Sequence, residues 1–437
     1  MLMSSRSARL RALLVVGLSA GLLALGIAAL VPPAAPDPAT LAGGGVSTLD
    51  RWISAAQAKL ARRQQDPRTW AELGTAYVEK ARITANPAYY AKADGALRTS
   101  LAQQPDGNGP ALTGMGALAN ARHDFAAARS FGEQAMAVLP DTAAVYGVLT
   151  DAYTQLGDTE AATTALQRML DLRPGVSSFT RAAYEFELHG RVDDARYALD
   201  RALADAVDPA DIAFCRYRLG ELAFDNGDVD TAARHYAAGL RVLPQDPPLL
   251  QGTAKVAAAR GQTDKALAGY RDLVSRLPNT QYLQEYAVLL TSAGQPELAA
   301  RQYTLIERQR QLEAAAGASD DLAAALVAAD RGDAGRALRL AEAEWSRRQP
   351  VFVADAVAWA LHLNGRDTEA LAFADQAART GTVNATFSYH RGMILAGLGR
   401  NADAATELTE ALRTNPNFSP VEARTARATL ANLRGAG

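Results

Sequence analysis

At 437 residues the chain is too long for one ordinary hydrophobic core, so it holds several domains or a repeat array. Apolar residues make up 49% and aromatics only 6%, and alanine is abundant throughout, a composition that favours helices over alternating strands. A net charge of −2 excludes the concentrated basic surface of a nucleic-acid binder, and a single cysteine, Cys215, excludes an intrachain disulfide or a multi-cysteine metal site.

Arg6, Arg9 and Arg11 precede an uncharged apolar run from Leu13 to Val31, about 28 Å long as a helix and close to the hydrocarbon thickness of a bilayer. That run exceeds the usual signal-peptide core. Pro32 and Pro33 follow it directly, and small residues suited to cleavage come only at Thr40-Leu41-Ala42. Residues 1–31 therefore read as an uncleaved signal anchor, with a cleaved signal peptide as the alternative. In both cases the arginines stay in the cytoplasm and the rest is expected outside it. The expectation is a single-pass protein of the cell membrane, crossing it through residues 13–31, or a secreted protein if the segment is removed. Residues 32–45 (PPAAPDPATLAGGG) read as a flexible linker. Residues 46–64 place Trp52, Ile53, Ala56 and Leu60 at helical spacing and predict a leading helix.

Beyond that helix the chain repeats. Gly157, Gly190, Gly227, Gly261, Gly294, Gly332, Gly365 and Gly399 recur at intervals of 33 to 38 residues, each in a polar turn between two helical apolar patterns. Pro105, Pro140, Pro174, Pro244, Pro278 and Pro416 mark the ends of the second helices. Within a unit, small residues let two helices approach and large ones fill the space beside them. Unit 1 reads Trp70, Leu73, Gly74, Tyr77, Ala93, Leu97, Pro105; unit 3 reads Tyr146, Leu149, Tyr153, Gly157, Ala162, Leu166, Pro174. Unit 5 reads Leu219, Gly220, Gly227, Ala232, Tyr236, Pro244, and unit 10 reads Gly392, Leu395, Gly399, Ala404, Leu408, Ala411, Pro416. This pattern resembles the tetratricopeptide repeat, a helix–turn–helix unit of about 34 residues. The resemblance covers about ten units from Asp66 to Pro416. It implies an all-α, right-handed α-solenoid of stacked repeats.

Departures from the pattern mark special places. Unit 1 carries about seven extra residues around 81–91, and the segment 203–211 adds about three. Unit 7 ends in a charged, helix-favouring run, IERQRQLEAAAGAS, without its proline, and unit 8 is nearly all alanine where large residues are expected. Residues 311–319 therefore read as a bend between a first arm, 46–312, and a second arm, 313–437. Residues 419–434 predict a trailing helix capped by Ser419, with Pro420 at its first position and an arginine-rich outer face.

Catalytic chemistry is not legible. His123, His189, His235, His362 and His390 fall at different phases of the repeat and imply no shared metal site. No HExxH, GxSxG, SxxK or P-loop occurs, and no cofactor is implied. Asp193-Asp194 and Asp320-Asp321 sit at helix starts, where acids favour the macrodipole. The expectation is a non-enzyme that binds a protein or peptide.

The resemblance also implies where. In tetratricopeptide proteins the first helices line the concave side, and four positions of each unit point inward. Units 3 to 6 place Asp151, Tyr184, Glu187, Phe214, Tyr217, Glu221, Phe224 and Lys255 there; units 9 and 10 place Phe352, Asp355, Trp359, His362, Tyr389 and Met393 there. Aromatics flanked by charges suit a binding hot spot. Members that clamp the C-terminal carboxylate of chaperones use Lys, Arg and Asn inside; here only Lys255 is cationic. A mildly acidic groove fits instead a basic or amphipathic segment of an envelope protein.

Overall fold

The computed structural model describes residues 45–435, and every regular element among them is an α-helix. The expected anchor, residues 1–31, and the expected linker up to Gly44 lie outside the described residues. No helix among the described residues is long and apolar enough to cross a membrane.

A leading helix α1 (Gly45–Arg62) is followed by ten helix pairs and a trailing helix. The pairs are α2 (Pro67–Thr84) with α3 (Ala88–Gln103), α4 (Gly109–Ala121) with α5 (Phe125–Val138), α6 (Ala143–Leu156) with α7 (Thr159–Leu172), α8 (Val176–Glu187) with α9 (Val192–Asp205), and α10 (Pro209–Asp225) with α11 (Val229–Val242). There follow α12 (Pro247–Ala259) with α13 (Thr263–Arg276), α14 (Thr280–Ser292) with α15 (Pro296–Ala315), α16 (Asp321–Asp330) with α17 (Ala334–Arg347), α18 (Val351–Leu363) with α19 (Asp367–Ala378), and α20 (Ala385–Gly397) with α21 (Asn401–Thr414). The trailing helix is α22 (Glu422–Gly435).

Local chemistry explains the starts and stops. Aspartates cap many helices: the side chains of Asp158, Asp246 and Asp320 accept from the backbone N–H groups of Ala161, Leu249 and Ala323. Both carboxylate pairs noted in the sequence lie at helix starts, though only one supplies a cap. Asp320 caps α16, and Asp193 and Asp194 lie in the first turn of α9. All eight turn glycines close their first helix at positive φ, between 66° and 84°. Units 1 and 2 lack a glycine there, and Ala85 (φ 47°) and His123 (φ 61°) take the left-handed place at a steric cost. Ser419 Oγ accepts from Glu422 N, so α22 starts two residues later than the sequence reading, with the same cap.

First helices of most successive units pack against one another, whereas successive second helices are held apart, which places the first helices on the inside of the curve. The first helices carry the denser core accordingly: nine residues are buried in α18 and three in its partner α19. Every consecutive pair of helices packs closely except α15 and α16. There Val327 shares a core cluster with Tyr303 and Ile306, and Arg336 pairs with Glu307 at 2.8 Å. The arm boundary expected at 312/313 falls inside α15, which runs unbroken to Ala315.

The coil also closes on itself. The turn of each of units 2 to 5 meets the segment that ends the unit five places later. Ser319 N–H donates to the carbonyl of Arg122 at 3.2 Å. Arg348 Nη1 donates to Gln155 Oε1 at 2.7 Å, Thr382 Oγ1 to the carbonyl of Leu188 at 2.8 Å, and Asn415 Nδ2 to the carbonyl of Phe224 at 2.9 Å. These last three pairs are 191 to 194 residues apart in sequence, a regular seam between successive turns of the superhelix. At the ends of the seam, Gln309 Nε2 reaches the carbonyl of Ala85 at 3.5 Å, and Arg424 Nη2 reaches Ser292 Oγ at 2.8 Å. The extra residues of unit 1 thus meet the overlong helix of unit 7.

Candidate binding face inside the coil

Each unit is held by one recurring contact. A Cβ added at Gly74 would lie 2.5 Å from Leu97, at Gly220 2.2 Å from Tyr236, and at Gly392 2.9 Å from Leu408. In all three the small residue of the first helix receives the large residue of the second, at the positions that carry the repeat signature, within ten successive helix pairs. The chain folds as a tetratricopeptide-repeat solenoid.

No protein-family model and no curated protein matches the sequence. Among solved structures, a tetratricopeptide repeat protein from Parabacteroides merdae is 18% identical, covering 59% of this chain and 98% of its own, with a TM-score of 0.36. The Cut9–Hcn1 hetero-tetramer of the APC/C is 14% identical over 90% of this chain and 97% of that one, at 0.34. Yeast Tom70 is 12% identical over 89% and 87%, at 0.38. At these scores the likenesses add nothing to the geometry of the chain itself.

Along the inside of this solenoid, first helices of neighbouring units are tied by polar pairs one unit apart. Arg181 grips Asp151 with two bonds of 2.7 and 2.8 Å, Arg218 binds Glu187 at 2.7 Å, and Lys255 binds Glu221 at 2.8 Å. Gln251 donates to Glu285 at 2.8 Å. Tyrosines of the second helices add to these: the hydroxyl of Tyr236 donates to Glu221 at 2.5 Å and that of Tyr270 to Glu285 at 2.9 Å. The predicted residues Asp151, Glu187, Glu221 and Lys255 are brought together here, but as inter-unit ties. Around unit 5 the carboxylates Glu187, Glu221, Asp225 and Glu285 outnumber the cations Arg218 and Lys255.

Burial governs the titration of these acids, and repulsion between them adds to it. Burial pushes Glu187 and Glu285 above the usual carboxylate range, against the pull of Arg218 and Lys255 respectively. Asp225 is pushed up to about 7 by desolvation, with Lys255 opposing and Glu221 adding repulsion. Asp330 rises to about 7 by desolvation and by Glu422, although Gln284 donates to it at 2.7 Å. Asp225 and Asp330 are both exposed nonetheless: the surrounding wall of the coil desolvates them while water inside it still reaches the carboxylates.

The aromatics divide. Phe224 and Tyr389 were expected to be exposed inside; they are 5% and 3% accessible and belong to the core, a consequence of a small shift in helix phase. Phe352 packs edge-on against Phe387 at 4.7 Å. Tyr184, Tyr217 and Trp359 are half-buried. Tyr217 lies beside Tyr236, and the buried hydroxyl of Tyr184 has no hydrogen-bond partner among the described residues. Trp359 stacks on His390 at 4.2 Å and on His362 at 5.0 Å. His362 Nδ1 lies 2.5 Å from Asp367.

Sequence reading missed His390, Arg181, Arg218, Asp225, Glu285 and Asp330. His390 is buried, with Nδ1 at 2.9 Å from Asp355 of unit 9 and Nε2 at 3.6 Å from Glu422 of α22. Desolvation alone would lower its pKa, but Asp355 and Glu422 together raise it to about 10, so it is a cation that joins two units and the trailing helix. The signal for these pairs was present: opposite charges one repeat period apart on first helices. Cys215 is fully buried, and burial pushes its thiol to about 12, which leaves it an inert core residue.

No group of three or more His, Cys, Asp or Glu among the described residues is placed to hold a metal ion.

Proposed function

We propose that this protein is a non-catalytic scaffold, tethered to the cell membrane by residues 13–31 with its repeat array outside the cytoplasm, that holds a basic segment of an envelope protein on its inner face. The observation that supports this most is the excess of carboxylates around unit 5, with Asp225 exposed and in no salt bridge among the described residues. A cationic segment would relieve the mutual repulsion of Glu187, Glu221, Asp225 and Glu285. The seam closes the side of the coil along units 2 to 5, so the segment enters from an open end.

The test is a labelled arginine-rich peptide titrated into the full-length protein, with a glutamate-rich peptide as control. Binding of the arginine peptide should strengthen as pH rises through about 7, where Asp225 and Asp330 gain their charge. Asp225→Asn with Asp330→Asn should remove that pH dependence, and at neutral to alkaline pH should raise the melting temperature, because two acids that are costly to charge in the fold are replaced by neutral amides. Equal binding of both peptides would sink the groove reading. The tether is tested separately by fractionation: the protein should stay with membranes at high salt, and external protease should release the array by cutting within residues 32–45.

A further inference from the structure

The second helix of unit 7 differs from every other second helix in the stack. At 20 residues α15 is longer than its counterparts α11 and α13, which have 14, and its first helical partner in unit 8 packs on it only sparsely. Its sequence contains a strict seven-residue repeat, Leu298, Leu305 and Leu312, with Arg301 and Arg308 three residues after the first two leucines. One face of the helix is committed inward, since Ala299, Tyr303 and Ile306 are buried. The leucines stand on another: they are 37%, 39% and 59% accessible, three of the nine exposed large hydrophobics among the described residues. Arg301 and Arg308 are exposed and make no ion pair among the described residues. Glu297, in the first turn, is the one exposed carboxylate on α15.

The three leucines form one row along the helix; the positions three and four residues on are Arg301, Gln302, Arg308 and Gln309, so the row supplies one of the two apolar positions per heptad of a helix–helix seam and a partner helix must supply the rest. A lone solenoid gains nothing from presenting the leucines to water, and the neighbouring second helices α13 and α17 show no such row: each has its own pattern of charged residues outward. We infer that the outer face of α15 is a second docking surface, which takes an amphipathic helix with an apolar heptad seam flanked by Asp or Glu. The acidic flank is called for by Arg301 and Arg308, which border the stripe and make no ion pair with a carboxylate among the described residues. A second copy of this chain is a poor occupant, because antiparallel pairing about Leu305 would set these arginines against each other. The surface lies outside the coil and is independent of the inner-face reading.

The probe is a synthetic helical peptide of about three heptads, with leucine at the seam and glutamate at the flanking positions; its control carries lysine at the flanks. Fluorescence anisotropy with the full-length protein should show the glutamate peptide bound at least about tenfold more tightly than the lysine peptide. Leu305→Lys should weaken it at least about tenfold with an unchanged helical melting curve, since the side chain is exposed. Should that variant melt early, Leu312→Lys, at the most exposed position, serves in its place. Arg301→Glu with Arg308→Glu should reverse the preference between the two peptides. Equal affinity for the peptides, or indifference to these substitutions, overturns the inference. So does a dimer in solution that Leu305→Lys converts to monomer, which would show the stripe covered by a second copy.

Discussion

Gly190 and Gly399 occupy the same place in their units and have nearly the same backbone, at φ 66° and 72°. A Cβ added at Gly190 would lie 2.2 Å from the carbonyl oxygen of Gly381, whereas at Gly399 it would meet nothing within 4 Å. The contrast holds for whole regions. Turn glycines of units 3, 4 and 5 (Gly157, Gly190, Gly227) lie against units 8, 9 and 10, while those of units 6 to 10 (Gly261, Gly294, Gly332, Gly365, Gly399) face open space. The repeat thus dictates local conformation, and the superhelix dictates surroundings. The residues that make the seam are specific to the late units. The position after the second helix is Arg348 in unit 8 and Asn415 in unit 10, both of which reach across the seam, but Leu139, Leu243 and Leu277 in units 2, 5 and 6; unit 3 carries Arg173 there.

The largest test of this contrast is alkaline pH. Unit 5 is covered only while unit 10 stays in place, and His390 pins unit 10 to Asp355 and Glu422. Its folded pKa, about 10, lies above the unfolded value, so its contribution is whole below about 6.5 and lost as pH rises through 10. Thermal melts from pH 7 to 10 should lose on the order of several kcal/mol of stability, and Asp355→Asn should flatten that decline.

Next comes Arg348→Ala. The guanidinium is buried, pairs with Glu344 and reaches across the seam to Gln155. Its loss should cost about 3 kcal/mol in denaturant melts, because Glu344 is left buried with only Arg347. A cost near zero would mean that the seam contributes little.

Gly190→Ala and Gly399→Ala isolate closure from backbone strain. Both should pay about 1 kcal/mol for a side chain at positive φ, and Gly190→Ala should pay a further 1–3 kcal/mol for the clash with Gly381. Equal costs would erase the difference between the two regions. The smallest effect runs the other way: His123→Gly should stabilise by about 1 kcal/mol by relieving the left-handed backbone, less whatever its 3.5 Å contact with Asp320 supplies.

Much of this fold is legible in the sequence. Eight of the turns were legible because a left-handed residue is best served by glycine, and those glycines recur with the repeat. The turns of units 1 and 2 were not, since Ala85 and His123 occupy the left-handed place without announcing it. The inner face was half legible. Asp151, Glu187, Glu221 and Lys255 lie on first helices as the repeat phase implies, tied between units, but Asp355, Phe224 and Tyr389 show how a fraction of a helical turn separates a lining residue from a core residue. The pairing of Glu187 with Arg218 and of Glu221 with Lys255 was available as a charge pattern at the repeat period. The seam was not available, because it depends on the twist per unit summed over five units, and no single unit encodes that sum.

In an open linear array each unit answers only to its neighbours, so the ends fray and a truncation simply shortens the protein. The latch between Asn415 and Phe224 changes the arithmetic of folding here, for it asks residues 191 positions apart to find each other. Such distant contacts are slow to form and are rewarded only after the intervening units have stacked. The final units should therefore dock late and lend protection against hydrogen exchange to helices half the chain away, so that deleting units 8 to 10 exposes backbone amides in the middle of the protein and not merely at its end.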